Sequence, residues 1–111
     1  MITRKIYEVL DAKDLIEELI NGEQTFSMKA GYELYVMSKQ LEDVEDFFMS
    51  QFNLIYEDGL NKENMEMHNL MIESEINIEP FRMSFDDFMG ETNTQLNNED
   101  TDILKKLFDE N

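Results

Sequence analysis

The sequence has no cysteine, one histidine, one proline and four isolated glycines in 111 residues. Each scarcity removes a class of chemistry. Without cysteine there is no disulfide and no thiolate nucleophile, and the redox state of a compartment places no constraint on the chain. His68 stands alone, so a zinc site has too few soft or imidazole donors. Gly22, Gly31, Gly59 and Gly90 are scattered singly, which leaves no glycine-rich loop to cradle a phosphate. Positive charge is scarce as well: nine Lys and Arg face 26 Asp and Glu, for a net charge of -17. Binding a nucleic-acid backbone takes clustered cations, and the only adjacent basic pairs are Arg4-Lys5 and Lys105-Lys106. The chain itself is therefore not expected to bind nucleic acid. No apolar run approaches the roughly 20 residues of a membrane span. Acids interrupt the N-terminal stretch before the apolar segment of a leader can form. A cytoplasmic location, in a host cell if the chain is phage-encoded, is the expectation.

What is present can fold. Hydrophobic residues make up 41% of the chain, with eight Phe, four Tyr and nine Met. That supports one modest core, and a single domain over residues 1–111 is expected. The fold class expected is α+β, mainly α: one long amphipathic central helix, shorter helices and a small strand or hairpin element.

The N-terminal "ITRKIYEVL" alternates and reads as a short strand. "DAKDLIEELING" follows as a helix capped by Asp11, with Leu15, Ile16, Leu19 and Ile20 inward and Gly22 as its stop. The clearest periodicity begins after Ser27, an expected N-cap. Ala30, Leu34, Met37, Leu41, Val44 and Phe48 recur at spacings of four and three, a heptad-like seam. A helix of about 30 residues, ending at Gly59, spans roughly 45 Å. So long a rod needs either shorter elements along it or a second chain on its seam. Residues 61–74 are read as a helix capped by Asn61, with Met67, Leu70 and Met71 inward, although alternation leaves a strand open. "EINIEPFRMSF" reads as extended, with Ile76 and Ile78, then Phe81, Met83 and Phe85, alternating around Pro80 as an edge strand or hairpin arm. "NNEDTDILKKLFDE" closes the chain as a helix capped by Asn97 or Asn98.

Lys29, Tyr32 and Leu34 open the long helix, and Tyr56 and Gly59 lie at its far end. With this order of elements the chain resembles a group of short bacteriophage proteins of unknown function built around one long central helix. The resemblance implies a phage or prophage origin. It carries no catalytic residue, because the group has no assigned activity.

Catalytic and metal-binding constellations are sparse. His68 beside Glu66 and Met67 reads as a structural, partly exposed histidine rather than a ligand. "YEDGLNKENMEM" lacks the carboxylate spacing and terminal Glu of a calcium loop. Asp86-Asp87 after Ser84 reads as the start of a turn or helix. Met65, Met67 and Met71 serve either as core filler or as an adaptable binding surface. No enzyme activity, cofactor or metal is expected.

The acidic residues carry the functional expectation. Between residues 40 and 66 there are eight acids and one lysine. At roughly 100° per residue, Glu42, Asp43, Glu45 and Asp46 fall opposite Met37, Leu41, Val44 and Phe48. Glu42 and Asp46, an i,i+4 like-charge pair, mildly oppose the helix. A solvated helix back ordinarily mixes signs. The expectation is that Glu42, Asp43, Glu45, Asp46, Glu57 and Asp58 form a partner-binding face for a basic, nucleic-acid-binding host or defence protein. Rigidly spaced carboxylates would stand in for phosphates there, as in anti-CRISPR-type inhibitors. The alternative is a phage virion or assembly component that oligomerises through Leu34, Met37, Leu41, Val44 and Phe48.

Overall fold

The computed structural model describes residues 1–109. It is mainly helical with one small antiparallel sheet, in agreement with the expected fold class. Strand β1 (Ile2–Lys5) runs directly into helix α1 (Ile6–Asn21). After a short connection come the long α2 (Met28–Ile55) and α3 (Lys62–Ile72). Strand β2 (Glu75–Ile78) returns to β1, and the short helices α4 (Phe85–Gly90) and α5 (Asn98–Lys105) finish the chain. β1 pairs with β2 in a register that places Ile2 opposite Ile78 and Lys5 opposite Glu75.

The helix starts follow side-chain capping. Ser27, Asn61, Ser84 and Asn97 each accept a hydrogen bond from the backbone N–H three residues on. Each satisfies a donor that the first helical turn leaves unpaired. α1 starts differently. The N-terminal alternation holds only to Lys5, and α1 begins at Ile6 rather than at an Asp11 cap. Ile6, Val9, Ala12, Leu15, Ile16 and Leu19 are buried at helical spacing, and that stripe outcompetes strand periodicity. Lys5 N–H donates to Glu8 Oε1 at 3.0 Å, and Ile6 N–H donates to Ser74 O at 2.9 Å. Asp11 therefore lies inside the helix, exposed on its outer side.

Two further expectations are corrected. The extended stretch ends at Ile78; Phe85 is the first residue of α4, not a strand position. Ser84 provides the cap, and residues 79–84 are held by side-chain clasps instead of a ladder. Gln40 donates to Glu79 O and accepts from Glu79 N–H, while Glu33 accepts from Arg82 N–H at 2.8 Å. In α3 the expected inner face holds only at Met71, which is half-buried. Met67 and Leu70 point to solvent, Leu70 at 72% exposure, and no residue of this helix is fully buried. α2 ends at Ile55, and Gly59, at φ 104°, makes the turn beyond it; that φ strains a residue with a Cβ. The terminal helix stops at Lys105, and Glu110, included in its expected span, lies outside the described residues.

The core is one cluster gathered against the N-terminal two thirds of α2. Leu34, Met37 and Leu41 share it with Val9, Ile16 and Leu19 of α1 and with Ile78, Phe88, Leu104 and Leu107. Phe81, Phe88 and Phe108 form an aromatic knot, Phe81 stacked on Phe108 at 4.5 Å between centroids. Phe81 N–H donates to Leu107 O at 3.0 Å, which fastens the post-strand loop to the end of the chain. The heptad-like seam is thus filled within one chain. Leu34, Met37, Leu41 and Phe48 are buried and Val44 is half-buried. The five residues expected to serve as an oligomer surface are thus largely taken up by the chain's own packing.

Candidate functional site

The acids of α2 separate into two groups. Glu45 does not stand on a bare outer face. Its carboxylate meets Lys13 of α1 at 2.9 Å, and Lys13 also bonds Glu17 one turn along its own helix. Lys13 is buried to 8% exposure, its aliphatic stem inside and its ammonium at the rim. The hydrogen bond to Glu17, then that to Glu45, hold its pKa well above the ordinary lysine range, against the opposing effect of burial. A raised lysine pKa stabilises the fold below the unfolded value and loses that contribution only as pH climbs through the folded one. The bridge is therefore intact throughout the neutral range. Lys13→Ala is expected to destabilise the protein by about 1–3 kcal/mol, because it leaves two carboxylates facing each other beside a buried surface. Thermal unfolding checks this, and a midpoint equal to wild type would refute it.

Glu42 is partly compensated too, with Lys39 at 3.5 Å. Both groups are well exposed, so this pair contributes little. Asp43 and Asp46 are exposed, and among the described residues neither has a cation within ion-pair distance. Asp43 sits on the rim of a cleft between α2 and residues 79–82, beside Gln40 and Arg82. Glu57 and Asp58 lie exposed in the turn after α2 and are likewise without an ion-pair partner among the described residues. Of the six acids expected to form one face, then, Glu45 is folded into an inter-helix bridge and Glu42 is half-neutralised. Asp43, Asp46, Glu57 and Asp58 remain uncompensated.

The uncompensated acids are not a continuous ladder. Phe47 and Leu54 stand among them, 57% and 61% exposed. They are about 20° apart on the helical wheel, so they share one outer strip of α2. Leu60 follows in the turn, and Met67 and Leu70 add apolar surface on α3. The outer end of the molecule is therefore mixed apolar and acidic.

Two features escaped the sequence reading. The first is a shallow cup of about 360 Å³ lined by Phe52, Tyr56, Gly59, Leu60 and His68. Its rings are steeply inclined to one another, with Phe52–Tyr56 at 4.7 Å and Phe52–His68 at 4.9 Å between centroids. Tyr56 Oη and His68 Nδ1 are 3.4 Å apart, which ties α3 to the end of α2. His68 is a half-buried structural residue in this packing. The aromatic residues at positions 48, 52 and 56 recur every four residues, a signal available in the sequence. The second feature is a cleft between α1 and α5 lined by Asp11, Asp14, Glu18, Glu99 and Asp100. The first three share one face of α1 at i, i+3 and i+7; their meeting with the start of α5 is a tertiary event. Among the described residues no group of three or more His, Asp or Glu is arranged to hold a metal ion. No helix among them is long and apolar enough to cross a membrane.

The basic pairs have structural work. Arg4 Nε donates to Lys106 O at 2.7 Å, and its guanidinium also reaches Phe108 O. It satisfies carbonyls that the end of α5 leaves open. Lys5 pairs with Glu73, Lys106 with Glu8, and Lys105 lies over the Phe85 ring. Compared with protein-family models, with curated proteins and with solved structures, the chain matches none of them.

Proposed function

We propose that this protein is a non-enzymatic, acidic binding module that docks on a basic, nucleic-acid-binding host or defence protein and blocks it. The observation that carries this reading is the set Asp43, Asp46, Glu57 and Asp58. All four are exposed and without an ion-pair partner among the described residues, in a chain of net charge -17. Internal bridges take up Lys5, Lys13 and Lys106, so few cations are left to balance the outer end. Uncompensated acids raise self-repulsion and do nothing for folding. A basic partner converts that cost into attraction and fast, steered encounter.

Mimicry of a regular phosphate row receives less support than simple charge complementarity. Glu45 is diverted to Lys13, and Phe47 and Leu54 interrupt the strip. Assembly through the helix seam lacks a carrying observation, since that seam is buried inside one chain.

The test is a pull-down from host lysate at low salt, eluted by rising salt, followed by a competition assay. The eluted partner is expected to be basic. Its binding to nucleic acid is expected to weaken as this protein is added, and the effect to fade as ionic strength shortens the Debye length from about 30 Å to about 8 Å. A partner without net positive charge, or nucleic-acid binding unchanged by the protein, sinks the proposal.

A further inference from the structure

The outer end of the molecule presents apolar surface that folding leaves uncovered. α3 has 11 residues and none is buried. Isolated helices shorter than about 12–15 residues are marginal in water, so this one depends on what it touches. Inside the chain its aromatic contacts run through His68, which meets Phe48, Phe52 and Tyr56 edge-on. Its other side gives Leu70 to solvent at 72% exposure, and Leu60 in the preceding turn stands at 78%. Uncovered apolar area of this kind, rimmed by polar groups, marks interaction sites. The turn that carries Leu60 is acidic as well: Glu57 and Asp58 are both exposed.

Charge decides which occupant fits. A second copy would bring another -17 against the same acidic rim, and repulsion would oppose the apolar gain. A basic segment gains from both terms. An amphipathic helix carrying leucine-like side chains on one face and Lys or Arg at its edges matches the layout, as helix-in-groove recognition does elsewhere.

We propose that the end of α2 and the turn that follows it dock a basic amphipathic helix of the partner protein, with an apolar side chain seated against Leu60 in the Phe52–Tyr56–His68 cup and Lys or Arg residues on Glu57 and Asp58. This rests on the acidic-module reading above and deepens it: the partner is held by an apolar anchor as well as by charge. Binding then keeps a component that salt does not remove, and α3 becomes more ordered when occupied.

The experiment uses the full chain and two synthetic probes of about 18 residues, or five helical turns. One is an amphipathic Leu/Lys peptide and the other a Lys/Ser peptide of equal charge, each with one tryptophan. The protein has no tryptophan, so probe fluorescence reports binding directly. The Leu/Lys probe is expected to bind at least about tenfold tighter than the Lys/Ser probe. The variant Leu60→Ser is expected to erase that difference without changing the circular dichroism, since that side chain is already largely in water. Amide exchange in Lys62–Ile72 is expected to slow on adding the Leu/Lys probe. Equal affinity of the two probes, with Leu60→Ser indistinguishable from wild type, overturns the apolar anchor and leaves the acidic-module reading standing. Failure of both probes to bind at low salt overturns both. A dimer seen by light scattering and abolished by Leu60→Ser identifies a second copy as the occupant and overturns the proposal.

Discussion

Phe108→Ala is expected to cost the fold about 3–5 kcal/mol, a large share of the roughly 5–15 kcal/mol that holds a domain together. The Phe108 ring is 1% exposed and touches three others. It stacks on Phe81 at 4.5 Å, meets Phe85 edge-on at 5.5 Å and packs against Phe88 at 5.8 Å. These rings close the core from the C-terminal side, where Leu107 O also anchors the loop after β2. Removing the ring leaves a cavity whose ring walls come from two separate segments, the loop after β2 and α4, so collapse into it is poor. Loss of the transfer free energy and of the packing contacts then add. Chemical denaturation with circular dichroism as the signal reads the effect directly. Phe47→Ala is the internal control: that ring is mostly in water and its removal is expected to shift stability by no more than about 0.5 kcal/mol. Equal losses from the two substitutions would show that the aromatic knot is not the structural centre assigned to it.

Reversing Asp43, Asp46, Glu57 and Asp58 to lysine together is expected to weaken binding to the basic partner by about 100-fold or more at low salt. Close charge pairs at protein interfaces couple by about 1.5–7 kcal/mol, and reversal adds repulsion to the lost attraction. The four residues lie in water and among the described residues carry no ion pair. Their replacement breaks nothing in the fold, and it lowers the net charge magnitude by about eight units, which eases self-repulsion. The reversed protein is thus expected to unfold at the same temperature as wild type or a higher one. That separates lost binding from lost structure. Reversal at Glu45 is excluded from the set, because Lys13 depends on that carboxylate. A reversed protein that retains wild-type affinity would show that these acids do not meet the partner.

Local chemistry made much of the architecture legible. Ser27 and Asn61 mark their helix starts because a short polar side chain before an apolar period has one dominant use, to take an orphaned N–H. The seam from Ala30 to Phe48 specified α2 because a repeat of four and three matches only a helix. Charge reads equally directly: no arrangement of nine cations can balance 26 anions, so an uncompensated acidic surface was fixed by composition.

Which acids are uncompensated was decided in three dimensions. Lys13 lies 32 residues from Glu45, and no helical wheel of α2 contains the lysine that neutralises it. The start of α1 at Ile6 was decided by the return of β2 to β1, which limits the strand to four residues and hands Ile6 and Val9 to the core. α3 turned out to present Met67 and Leu70 outward because Phe48, Phe52 and Tyr56 draw His68 inward; a segment of mixed methionine, glutamate and asparagine has no strong periodicity of its own to dictate a face. The same holds for the seam. Its apolar repeat determines that it must be covered, and only the tertiary packing, chiefly that of α1 along α2, decided which of the chain's own residues share its core.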